Sequence, residues 1–177
     1  MSKDIMNTAF IFPGQGSQDI GMGKSLYLNS IAARDVFDEV DEILGRNLSD
    51  LMFEGDKDEL TRTENAQPAI LATSIALWKS IEETTDTIST PSIVAGHSLG
   101  EYSALTVAGV FSIADAVKLV LERCKQMQMA YRTGDNKEVA RLQEILNPEE
   151  DEEKLKYLHK NKESAYLERR NNQQYRR

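Results

Sequence analysis

The sequence predicts an α/β fold with a parallel sheet. Two short runs of apolar and β-branched residues, Thr8-Ala9-Phe10-Ile11-Phe12 and Ser92 to Ala95, have the length and content of strands. Each is followed at once by a glycine-bearing turn, Pro13-Gly14-Gln15-Gly16 after the first and Gly96-His97-Ser98-Leu99-Gly100 after the second. Helix-compatible stretches lie between the runs and after them, the order that places strands side by side in parallel. The two turns should then meet beyond the carboxyl ends of the strands, where open α/β sheets form their crevices.

Thr8 to Phe12 reads as a buried strand, ended by Pro13. Gly14-Gln15-Gly16-Ser17-Gln18 is a loop able to bring backbone N–H groups close to a bound group, although turn chemistry alone gives the same composition. Ile31 to Leu44 is an amphipathic helix, with Ile31, Val36, Phe37, Val40, Ile43 and Leu44 as its apolar side and Gly45 in the C-cap position. Leu48 to Phe53 and Asp58 to Leu60 read as short helical turns. Thr63-Glu64-Asn65-Ala66-Gln67-Pro68 leads into a long helix ending near Ile81, with Pro68 suited to the first turn. Ala69, Ala72, Ala76 and Leu77 make that helix a buried one. Thr84 to Pro91 is a polar connection to the second strand.

Glu101 to Ala108 is the helix after the second strand, and Gly109 follows it. Ser112-Ile113-Ala114-Asp115 is a capping-box arrangement opening another helix. On that helix Ile113, Val117, Val120, Cys124 and Met127 form one stripe, while Asp115, Lys118, Glu122 and Lys125 cluster opposite. Cys124 is read as a core residue. Arg123 falls at the edge of the apolar stripe, where a charge needs a reason; a snorkelling arginine is one, a bound anion another.

The chain has 177 residues, enough for one domain with a core, or one domain and an appendage. Its net charge of −8 opposes general nucleic-acid binding. The single cysteine excludes an internal disulfide and suits a reducing compartment. No signal peptide is visible, and no stretch is long and apolar enough to span a bilayer. A cytoplasmic chain is the expectation. The charge is uneven. Residues 1–130 hold 10 Lys and Arg against 19 Asp and Glu, a net of −9, whereas residues 131–177 hold 11 against 10, a net of +1. That places a boundary near Ala130, with a charged, helical or disordered tail beyond it. Val139 to Leu146 reads as a helix broken by Asn147-Pro148, and a charged helical stretch follows to about Arg170.

The segment Gly96-His97-Ser98-Leu99-Gly100 is G-x-S-x-G between a strand and a helix, the setting of a nucleophile elbow. An elbow holds its serine in a strained turn, so the flanking residues must lack side chains that would clash. Gly96 and Gly100 meet that need. The hydroxyl then stands at a helix head, where N–H groups favour developing negative charge. A plain strand-to-helix turn capped by serine shares the pattern.

Three motifs stand in order: Phe12-Pro13-Gly14-Gln15-Gly16-Ser17-Gln18, Asn65-Ala66-Gln67-Pro68 and Gly96-His97-Ser98-Leu99-Gly100-Glu101-Tyr102. With them, residues 7 to about 130 resemble the malonyl-CoA:acyl carrier protein transacylases and the related acyltransferase domains of polyketide and fatty acid synthases. The resemblance implies an α/β-hydrolase-like core with a small inserted ferredoxin-like subdomain. It implies malonyl transfer from malonyl-CoA to the phosphopantetheine thiol of acyl carrier protein through a serine ester, with no cofactor and no metal. On it, Ser98 matches the nucleophile, and the N–H groups of Gln15 and Leu99 match the oxyanion hole. Arg123, in Glu122-Arg123-Cys124-Lys125-Gln126-Met127, matches the arginine that pairs with the malonyl carboxylate. A guanidinium fork suits a carboxylate bidentately. His97 and Gln67 match residues that line the pocket.

The chain also departs from that pattern. The resemblance calls for a downstream catalytic histidine, yet the sequence has only His97, tethered beside Ser98, and His159, in a stretch that resembles nothing in the family. Four readings follow. The chain is an acyltransferase when the missing parts come from elsewhere, such as a separate chain carrying the C-terminal half. It is a truncated, inactive relic. It is a protein-interaction module. Or it is a serine hydrolase, which Arg123 disfavours because hydrolysis alone needs no carboxylate clamp.

Overall fold

The structure is a computed structural model that describes residues 8–84 and 91–133. They belong to the first of two units into which the chain divides, Met1–Gly134. The expected helices after Val139, His159 and most of the Thr84 to Pro91 connection lie outside the described residues.

The element order is β1 (Ala9–Phe12), α1 (Lys24–Asn29), α2 (Ile31–Leu44), α3 (Leu48–Glu54), α4 (Lys57–Thr61), α5 (Thr63–Thr84), β2 (Ile93–Gly96), α6 (Gly100–Val107) and α7 (Ile113–Thr133). The strands pair in parallel, with Ala9 opposite Ile93 and Phe12 opposite Gly96. The expected α/β class and parallel pairing are therefore present. Helices α2, α5 and α7 pack on one another and supply most of the core, through Val36, Phe37 and Val40, Ile70, Leu71 and Ile75, and Val117 and Val120. Leu48, Met52 and Leu60 close it from α3 and α4.

Two helix starts are capped by serine, and that of α7 follows the predicted chemistry. Ser30 caps α2, its side chain accepting from the Ala33 N–H at 3.0 Å. At α7 the Ser112 Oγ accepts from the Asp115 N–H at 3.0 Å and donates to the Asp115 carboxylate at 2.6 Å. Gly45 ends α2 in the left-handed region, φ 64°.

Helix α5 begins at Thr63, so Pro68 lies inside it and not in its first turn. A proline there leaves the carbonyl four residues back, that of Glu64, without its helical donor. Arg46 Nη2 donates to that carbonyl at 3.2 Å and to Asn65 Oδ1 at 2.6 Å. A distant arginine thus satisfies the group that proline orphans, and the helix continues. Ala69, Ala72 and Ala76 are fully buried as expected, but Leu77 is half exposed, although Ser74, Ile75, Ala76 and Trp78 around it are buried. Ile31, assigned to the apolar side of α2, is also exposed, being the helix's first residue.

The main departure concerns the sheet. β1 was expected to be buried, but only Phe12 is; Ile11 is 80% exposed and Ile93 64%. Residues alternate faces along a strand. Phe10 and Phe12 face the helices, and Phe10 meets Trp78 of α5 edge to face at 5.1 Å. Ala9 and Ile11, paired with Ile93 and Ala95, form the other face, which is open. Parallel sheets are normally covered on both faces, so apolar content alone predicts a burial that the described residues do not supply.

Backbone crossing at the elbow sets a sharp test. A Cβ on Gly96 would lie 1.9 Å from the Gly100 carbonyl carbon, and one on Gly100 would lie 2.2 Å from the Phe12 oxygen. Both obstacles are main chain and cannot rotate away. Gly96→Ala and Gly100→Ala should each destabilise the fold by about 3 kcal/mol or more. Gly109→Ala, at φ 76° with open space around it, should cost only about 1–2 kcal/mol of backbone strain. Urea denaturation midpoints of the three variants check the order.

Candidate active site

Both turns leave the same, carboxyl end of the sheet, where Phe12 lies opposite Gly96. His97 N–H donates to the Phe12 carbonyl at 3.2 Å, tying the elbow to the end of β1. The turn then closes through Gly100 N–H to His97 O at 2.9 Å and enters α6. Among the described residues Ser98 alone, apart from glycines, has a positive φ, 52°. Such a conformation costs a serine about 1–3 kcal/mol and is held by its surroundings. Here those surroundings are Gly96 against Gly100 and Gly100 against Phe12. The side chain of Leu99 is fully buried in the core, which pins the turn from below.

Arg123 comes in from α7. It is only 7% exposed, so it does not snorkel. Its Nη2 donates to Ser98 Oγ at 2.7 Å, and its Nη1 donates to Gln67 Oε1. The Tyr102 ring lies 5.8 Å from the guanidinium carbon. Among the described residues the buried Nε of Arg123 has no hydrogen-bond partner. Gln67 is 1% exposed, and its Nε2 donates to Gln15 Oε1 at 3.1 Å and approaches Met127 Sδ at 3.5 Å. Gln15 Nε2 donates in turn to Thr63 Oγ1 at 3.3 Å. A continuous run of hydrogen bonds therefore joins Ser98, Arg123, Gln67, Gln15 and Thr63, from four separate stretches of the chain.

Of the residues singled out from the sequence, Ser98, Arg123, Gln67 and Gln15 are thus brought together. Leu99 sits beneath them. His97 is exposed and faces Gly14, where a Cβ would lie 3.2 Å from its Nδ1. Thr63, Tyr102 and Met127 join the site although the sequence reading gave none of them a site role. Thr63 carried a usable signal, since it stands four residues before Gln67, on the same face of α5. Asn65, in the same motif, faces elsewhere: it binds Arg46 and the Glu59 carbonyl, a structural task.

Cys124 is a core residue, as expected. It is 2% exposed, and its Sγ donates to the Thr63 carbonyl at 3.4 Å. Burial pushes its thiol up from 9.0 to about 11, with nearby Arg123 opposing. Burial likewise raises the Tyr102 hydroxyl, again against Arg123.

The acyl transferase domain family matches residues 9–164 of this chain. The chain belongs to that family. The match covers both turns, all of α5 and α7, and continues past Ala130 through the charged stretch that holds His159, to which the sequence alone gave no likeness to the family. Among curated relatives of this acyl transferase domain, the malonyl CoA-acyl carrier protein transacylase of Bacillus subtilis (strain 168) is 55% identical over 127 residues, 72% of this chain and 39% of the relative. Among solved structures, the acyl-carrier-protein-S-malonyltransferase of Bartonella henselae superposes with a TM-score of 0.67 at 52% identity, over 71% of this chain and 40% of that one. A malonyl-transacylase solved with a type II polyketide synthase acyl-carrier protein gives 0.66 at 44% identity, over 70% and 40%. The chain spans about two fifths of the length of the relatives it matches.

The thiol offers a direct check on the packing of α7 against α5. Raising its pKa from 9.0 to about 11 cuts the thiolate fraction at pH 8 about a hundredfold. Labelling of Cys124 by a thiol reagent at pH 8 should be at least that much slower in the native chain than in urea. Its rate should then climb about tenfold per pH unit towards pH 11.

Proposed function

We propose that this acyl transferase domain carries the nucleophile and acyl-binding part of a malonyl-CoA:acyl carrier protein transacylase, working in the cytoplasm in fatty acid synthesis. The observation that carries the reading is Arg123. A guanidinium this buried, with one arm on Ser98 Oγ and an unpartnered Nε beside it, is suited to a substrate that brings a negative charge next to the acylated hydroxyl. The malonyl carboxylate is such a charge. The relatives, named as malonyl CoA-acyl carrier protein transacylases, point to the same substrate and acceptor.

In this reading Ser98 Oγ attacks the thioester carbonyl carbon of malonyl-CoA. The N–H groups of Gln15 and Leu99 receive the oxyanion, and the carbon–sulfur bond breaks to release the thiol of coenzyme A. The phosphopantetheine thiol of acyl carrier protein then attacks the ester and frees Ser98. His97 and Gln67 line the acyl pocket. Each attack needs a group to take a proton. Arg123, the side chain on Ser98 Oγ, holds only donors and cannot. His97 faces Gly14, and its tether beside Ser98 makes it a poor base. His159, the other histidine, lies outside the described residues. In this reading it is not the base, which is supplied from elsewhere, such as a separate chain carrying the C-terminal half of the family's domain. The open sheet face of Ala9, Ile11, Ile93 and Ala95 is the apolar surface such a segment would cover. Alone, the chain is an impaired transferase.

Incubation with malonyl-CoA followed by intact-mass spectrometry tests this. The chain alone should acylate Ser98 slowly, because oxyanion donors and binding without a full triad leave only about 10³–10⁴-fold over water. Ser98→Ala should abolish acylation, and His159→Ala should not change it. Rapid, stoichiometric acylation by the chain alone would overturn the missing-base reading. Arg123→Ala should weaken malonyl transfer more than acetyl transfer, by about 2–5 kcal/mol for the lost buried pair. Equal loss for both acyl groups would make Arg123 structural.

A further inference from the structure

The amide groups behind Arg123 form a run with a fixed direction, and its far end lies on a residue that the proposed reaction does not use. A guanidinium offers only donors, so Gln67 must turn its oxygen towards Arg123 Nη1 and its nitrogen away. That nitrogen needs an acceptor in a 1% exposed position, and Gln15 Oε1 supplies it at 3.1 Å, with Met127 Sδ a weaker second at 3.5 Å. Gln15, now oxygen-first, must present its own nitrogen to the next group, and Thr63 Oγ1 accepts it at 3.3 Å. Flipping Gln67 would set like ends against each other at both its bonds, and flipping Gln15 would do so at its bond to Gln67.

We propose that Thr63 is a positioning residue for Arg123: its hydroxyl, acting through the side chains of Gln15 and Gln67, holds the guanidinium in the orientation that places Nη2 on Ser98. The threonine touches neither Ser98 nor any acyl group in this arrangement. Its position in the first turn of α5, four residues before Gln67, lets one helix end anchor both ends of the run. The same Gln15 that stands in the glycine loop after β1 thereby links that loop to α5 and α7. The inference concerns the orientation of Arg123 and uses the proposed malonyl chemistry only for its consequence, a selectivity for carboxylate-bearing acyl groups.

The test is nuclear magnetic resonance on the full chain, without substrate, measuring rotation of the Arg123 guanidinium about Nε–Cζ, with its signals assigned from Arg123→Lys. Rotation requires the bonds at Nη1 and Nη2 to break together, so it reports how firmly both are held. Thr63→Val should speed rotation roughly two- to tenfold, the effect of one weakened hydrogen bond. Thr63→Ser, which keeps the acceptor, should rotate like the parent chain. Gln67→Leu should exceed both. If Thr63→Val does not fold, Gln15→Met in the exposed loop serves in its place, with the same acceleration expected. A rate in Thr63→Val equal to that of the parent chain, or Thr63→Ser as fast as Thr63→Val, would overturn the proposal. Binding of malonyl-CoA against acetyl-CoA separates the two readings: equal affinities in the parent chain with rotation still responding to Thr63 would sink the malonyl assignment and leave the positioning role standing.

Discussion

A buried guanidinium needs acceptors, and much of the local structure follows from that need. Arg123 is 7% exposed and permanently charged. Burying such a group without partners costs several kcal/mol, so the fold supplies Ser98 Oγ, Gln67 Oε1 and the Tyr102 ring. Each partner arrives on a different element: the turn after β2, helix α5 and helix α6. The charge therefore acts as a register mark. If α7 were rotated or shifted by one residue, the guanidinium would lose all three at once.

The elbow depends on a second constraint of the same severity, now steric. Gly96 and Gly100 pass each other with no room for a methyl group, and Gly100 rests on the Phe12 carbonyl. This close crossing of main chains forces Ser98 to a φ of 52°. The strain is local, and the buried Leu99 side chain and the His97 to Phe12 hydrogen bond hold it in place. Electrostatics brings Arg123 to the serine, and packing keeps the serine where Arg123 can reach it.

The helices and the sheet are unequally provided for. The helical core is closed by side chains from α2, α3, α4, α5 and α7. The two-stranded sheet has helices on one face, while Ile11 and Ile93 look outward on the other. Two strands alone are marginal in water. Here they are held by the elbow, by Phe10 on Trp78 and by α6 packed across both.

Local chemistry was legible in the sequence wherever one stretch contains both partners. Ser112 with Asp115, Gly45 at its C-cap and the glycines around Ser98 all interact within a few residues, so spacing alone reveals them. Helical periodicity likewise separated Arg123 from the charged face of α7 and Cys124 into its core. The tertiary structure decided the rest. Whether β1 is buried depends on what lies over it, which no property of Ala9 to Phe12 encodes. Pro68 could sit inside α5 only because Arg46, distant in the chain, donates to the carbonyl that proline leaves bare. That Gln67 ties Arg123 to Gln15, and Gln15 to Thr63, is a matter of four segments converging. A hydrogen bond has a reach of about 3 Å, so a sequence shows it only when its partners are neighbours, and folding alone makes neighbours of residues 15, 63, 98 and 123.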